Sequence, residues 1–117
     1  MKTLFTNAYV VVGLHDGDMA AAVQRLAELG GGIAVVDGGE VRAELPLPVA
    51  GLLADAPLAE VIERSLACND AARELGWSGA TPFLTLAFLA LSVIPSLKIT
   101  DRGLVDVDAF ELVPFEV

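Results

Sequence analysis

The chain has 117 residues, 55% of them hydrophobic, with 16 acidic side chains against 7 basic ones and a net charge of -9. That length suits one domain, and area scaling lets it bury about two-thirds of its unfolded surface without a disulfide framework or a structural metal. Disorder is excluded by the apolar composition. Free-standing nucleic-acid binding is disfavoured, because that affinity comes mostly from Lys and Arg neutralising phosphates.

Ala8–Gly13 is a short β-branched run and reads as a buried strand. A helix follows, with Asp16 as its cap and Asp18 in its first turn, where the positive end of the helix dipole favours a carboxylate. Met19, Ala22, Val23, Leu26 and Leu29 recur at helical spacing and make one apolar face. Gly30 is placed to end the helix in a left-handed conformation. Gly32–Val36 reads as a strand, Asp37-Gly38-Gly39 as a hairpin turn, and Glu40–Leu45 as the alternating return strand. Pro46 and Pro48 exclude a central strand or helix interior, so Leu45–Leu52 is expected to be an extended, ordered connection.

Asp55-Ala56-Pro57 opens a second helix, which runs through Leu58, Val61, Ile62, Leu66 and Ala72 to Leu75 and stops at Gly76. Glu60, Glu63 and Arg64, then Arg73 and Glu74, mark its solvated side. Thr81 and Pro82 are suited to cap and start a third helix from Phe83 to about Leu91. The apolar run Phe83–Ile94 is far shorter than the ~20 residues a membrane span needs, so it is expected to be a buried core helix, with an apolar docking surface as the alternative. Ser96–Thr100 and Leu104–Val107 read as strands about a turn at Asp101-Arg102-Gly103, and Phe110–Val117 alternates loosely. The order β-α-β-β-α-α-β-β points to a single α+β domain over residues 1–117, with a mixed or antiparallel sheet packed by helices. Residues 1–6 read as a leader or boundary segment but not as a signal peptide.

The residues with reactive chemistry do not form a catalytic or metal-binding set. His15-Asp16-Gly17-Asp18 is the one cluster of metal-type ligands, and it lacks a second imidazole. Gly30-Gly31-Gly32 follows a helix and opens a strand, the reverse of a phosphate loop, so a tight connection or a close backbone approach is expected instead. Cys68, the only cysteine, lies within a helix and reads as a small buried hydrophobe. No GxSxG nucleophile context exists. No catalytic residue and no metal ligand is therefore assigned. Asn7, Asp18, Trp77, Phe83 and Asp101 are the candidates for ligand or interface contact.

The segments occur in an order that resembles the C-terminal domain of bacterial adenine deaminases, of the amidohydrolase superfamily. The resemblance rests on VVVG at Val10–Gly13, AVQRLAELGGGIAVV at Ala22–Val36, ELPLPVAGL at Glu44–Leu52, and PFLTLAFLALSVIPSLKITDRGLVDV at Pro82–Val107. The double proline and the last segment are its most specific parts. The family's Ser-His-Asn entry to the first strand is Phe5-Thr6-Asn7 here, so only Asn7 carries over. The resemblance implies a parent hydrolase of purine salvage, converting adenine and water to hypoxanthine and ammonia. Its manganese or iron would sit in a (β/α)₈ barrel of about 250 residues, which this chain cannot contain. The expected role is an accessory domain that packs on that barrel, mediates homo-oligomerisation, or both. The expected location is the cytoplasm, with neither nucleic acid nor membrane as partner. The alternative is a free-standing module that binds a small molecule such as a purine. An independent enzyme is the weakest reading.

Overall fold

A computed structural model describes residues 11–100 and 102–114. Its elements are α1 (Asp16–Leu29), β1 (Gly32–Asp37), β2 (Glu40–Pro46), α2 (Leu58–Glu74), α3 (Pro82–Leu89), β3 (Leu97–Thr100), β4 (Gly103–Asp106) and β5 (Glu111–Val113). The α+β class and the element order agree with the sequence reading. The strands form two antiparallel sheets rather than one: the hairpin β1–β2 and the three-stranded β3–β4–β5. The expected first strand, Ala8–Gly13, falls mostly outside the described residues, and its described part, residues 11–13, is not in a strand.

The body of the domain is α1 and α2 packed on the hairpin. On α1, Leu26 is buried and Met19, Ala22, Val23 and Leu29 are half-buried, as the spacing requires. The helix ends in a Schellman arrangement: Gly30 is left-handed at φ 75°, and the Gly31 amide donates to the Leu26 carbonyl at 2.9 Å. Its start differs from expectation. Asp16 is inside the first turn, while His15 holds the cap position without a side-chain capping bond. Thr81 likewise precedes α3 without capping it through its side chain, although Pro82 does open the helix.

The hairpin turns at Gly38 and Gly39, both at positive φ, with Asp37 paired to Glu40. A bulge follows, because Val35 pairs with Ala43 while Val36 pairs with Val41. Ala43 and Leu45 keep to the core face, and the extra residue leaves Val41 exposed instead of buried as strict alternation would have it. Val35, Leu45, Cys68 and Ala71 form the buried cluster, with Ile33, Leu47, Val61 and Phe83 packed against it.

The triple glycine performs a backbone-to-backbone fit. A Cβ on Gly31 would lie 2.9 Å from the Gly51 Cα and 3.1 Å from the Leu47 carbonyl oxygen. A Cβ on Gly32 would overlap the Leu45 carbonyl oxygen. The Leu47 amide donates to the Gly31 carbonyl at 2.9 Å. The glycine corner and the double-proline segment thus hold each other. That segment is ordered as expected, though it closes into a turn: Val49 bridges Leu53, and Ala50 sits at φ 57°.

The expectation of a buried third helix is corrected. Only Phe83 of that run packs against the core, while Leu84, Phe88, Leu89, Leu91, Val93 and Ile94 are exposed. The helix ends at Leu89, and α3 touches the body weakly, through α2. The second helix is also apolar on two sides. Val61, Cys68 and Ala71 face inward, whereas Leu58, Ile62 and Leu66, at i, i+4 and i+8, form a stripe that is 73%, 50% and 56% exposed.

The glycine corner yields a stability prediction. Gly32→Ala is expected to cost about 2–3 kcal/mol, because the methyl meets backbone that cannot swing aside. Gly38→Ala, with open space around it, should cost only about 1 kcal/mol for the left-handed backbone. Urea unfolding of both variants tests this, and equal midpoints would contradict the close approach.

Candidate functional site

Of the candidate residues within the described region, Asp18 and Phe83 are engaged locally. Asp18, in the first turn of α1, accepts the Gly39 amide at 2.7 Å and the Gly38 amide at 3.3 Å. Its carboxylate ties the start of α1 to the tip of the hairpin. Phe83 is committed to the core cluster. Trp77 follows α2, and its indole Nε1–H is buried without a partner. A Cβ on Gly79 would lie 2.6 Å from that nitrogen, so the Gly79 backbone is what covers it. Such an orphan donor costs about 1–3 kcal/mol. Asn7 and Asp101 lie outside the described residues.

Charged groups on the body are arranged as ion pairs. Arg25 forks onto Glu44, Nε to Oε2 at 2.7 Å and Nη2 to Oε1 at 2.9 Å, and also reaches Glu28. This pair joins α1 to β2, a contact with no signal in the linear sequence. The Arg25 hydrogen bonds hold the Glu44 carboxyl below the usual glutamate range, and the same bonds raise the guanidinium further. Arg64 pairs with Glu60, and Arg73 with Asp70, along α2. Arg64 is half-buried rather than fully on the solvated side, and it lines a cleft with Pro46, Pro48, Asp55 and Glu60.

That cleft is about 150 Å³ in volume. Small-molecule sites are typically about 300–1,000 Å³ and enclose most of the ligand. Among the described residues, no three His, Cys, Asp or Glu side chains converge on a metal position, and His15 is exposed. The donors present in this region do not fit a catalytic metal centre. Cys68 is fully buried, and burial pushes its thiol up to about 11, so the nucleophilic thiolate is suppressed.

The feature that distinguishes this domain is apolar surface. It lies on the α2 stripe, on α3 and the segment after it, and on the β3–β5 sheet, where Leu97, Ile99, Phe110 and Leu112 are exposed. No described helix is long and apolar enough to cross a membrane. Contiguous exposed apolar surface is in general a mark of an interaction site.

Comparison with known proteins gives the class. The family model described as adenine deaminase C-terminal domain matches residues 6–111. The chain belongs to that family. An adenine deaminase of Cereibacter sphaeroides is 57% identical over 104 residues, which is 89% of this chain and 18% of that protein. Those of Archaeoglobus fulgidus and Oleidesulfovibrio alaskensis are 51% and 50% identical, covering 92% and 90% of this chain but 19% and 18% of their own lengths. The chain therefore spans about a fifth of the curated relatives it matches, and corresponds to one domain of a larger enzyme.

Two outcomes follow from the site. The Glu44 carboxyl is depressed in the folded state, so its contribution is present above about pH 4.5 and is lost as pH falls through the folded value. Wild type should lose stability on acidification more steeply than Glu44→Gln, measured as urea midpoints between pH 6 and 3; parallel curves would remove the Arg25–Glu44 pair from the account. Cys68 should resist a thiol-specific disulfide reagent at pH 8 until denaturant is added, and immediate labelling would contradict its burial.

Proposed function

We propose that this chain is the accessory, non-catalytic domain of an adenine deaminase and packs against the portion of the enzyme that carries the chemistry. That portion converts adenine and water to hypoxanthine and ammonia, in the cytoplasm, using manganese or iron held on its own amidohydrolase barrel. The observation that carries this reading is the pairing of two facts. Large hydrophobics stand exposed on α2, α3 and the β3–β5 sheet, and no three described His, Cys, Asp or Glu side chains converge on a metal position. Burying such surface is favourable by about 25 cal/mol per Å².

Self-association is a second role, favoured by the α2 stripe alone. Leu58, Ile62 and Leu66 offer an apolar stripe for it, each at least half exposed. The free-standing purine module has less support, since the cleft by Pro46 and Arg64 is small and open.

The test is ammonia release from adenine with added Mn²⁺ or Fe²⁺. The chain alone should show none. Mixed with Cereibacter sphaeroides adenine deaminase truncated before its C-terminal domain, it should restore activity at least tenfold or raise the thermal midpoint of the truncated enzyme. Turnover by the chain alone, or no effect of any kind on the truncated enzyme, would overturn the reading.

A further inference from the structure

We propose that the β3–β4–β5 sheet is the arm by which this domain seats on the catalytic portion of the deaminase, with Phe110 as its aromatic anchor; this rests on the docking reading above. The strands are four, four and three residues long, and the sheet makes at most marginal contact with α1, α2 or the hairpin. Three strands this short need a hydrophobic face, or packing against another element, to be stable. Its register puts Ile99, Leu104 and Val113 in one cross-strand row, and Lys98, Val105 and Leu112 in the next row on the opposite face. Ile99 and Leu112 are both exposed, so both faces present apolar surface.

Phe110 stands at the tip, between β4 and β5. It is 86% exposed, and its backbone is left-handed at φ 57°, an uncommon state for a bulky side chain. The turn is fixed by Asp106, whose Oδ1 accepts the Asp108 and Ala109 amides, both at 3.0 Å. A strained backbone locked by a carboxylate thus holds an aromatic ring out in water. Rings presented in this way dominate binding when they enter a partner's pocket.

Charge selects the occupant. Asp106, Asp108 and Glu111 neighbour Phe110 in the chain, and no basic residue lies between Arg102 and Val117. Two such tips repel each other, which disfavours a second copy. The relatives carry about four-fifths of their length outside this domain, covalently attached and hence at high effective concentration. The fit is to an apolar pocket with a basic rim on that portion.

The test is hydrogen exchange on full-length Cereibacter sphaeroides adenine deaminase carrying this chain in place of its own C-terminal domain, compared with the chain by itself. Amides of residues 97–113 should exchange at least tenfold more slowly in the full-length enzyme. Phe110→Ala there should restore most of the fast exchange. Phe110→Gly in the separate chain should instead raise its thermal midpoint by about a few degrees, since glycine adopts the left-handed state freely. Slowing confined to α2, or an arm indifferent to Phe110→Ala, overturns the arm and leaves docking standing. No slowing anywhere overturns docking and the arm together.

Discussion

The body of this domain depends on the contact between the Gly31–Gly32 corner and the backbone of Leu45, Leu47 and Gly51. The α1–β1 connection has no room for a side chain there, and the Leu47 amide closes the contact on the Gly31 carbonyl. Because the corner is fixed, the hairpin lies on α1, and the chain leaves β2 in the direction that brings α2 across Val35 and Leu45. Asp18 and the Arg25–Glu44 fork add polar ties between the same elements, at the hairpin tip and along β2. The prolines belong to this contact as well: Pro46 ends β2 opposite Gly32, and Pro48 has no N–H with which to extend the ladder.

Much of this was legible in the sequence, for identifiable reasons. The five-residue apolar face of α1 and the glycine that ends it obey local rules, as does the two-glycine hairpin turn. The triple glycine was readable as a tight helix-to-strand connection, with close backbone approach as the lesser alternative, but not as an approach to the double proline, because nothing local links residue 31 to residue 47. The caps were legible in part. Asp16 has the right chemistry but lies one residue inside α1, whereas Thr81 takes the cap position of α3 without a side-chain bond, because how the chain enters the helix decides where the side chain can reach. The bulge that turned Val41 outward is a tertiary adjustment that strict alternation could not show.

The least legible feature is the one closest to function. Leu58, Ile62 and Leu66, and the run from Leu84 to Ile94, have the composition of a core. In sequence they cannot be told from residues such as Val61 and Cys68 that do enter it. The structure separates them: Val61 and Cys68 pack into the cluster of the body, whereas Leu58, Ile62, Leu66, Leu84, Phe88, Leu89, Leu91, Val93 and Ile94 are exposed. These exposed side chains among the described residues carry the proposal that the domain completes its apolar burial against another surface. In the adenine deaminase relatives, about four-fifths of the protein is available to supply one.

The central claim is that apolar burial drives association with the rest of the enzyme. Calorimetric titration of this chain into truncated Cereibacter sphaeroides adenine deaminase, at several temperatures, measures that burial directly. The account predicts one-to-one binding whose enthalpy falls steeply with temperature, the negative heat-capacity change of apolar surface leaving water. Binding with a flat temperature dependence, or none at all, would contradict it.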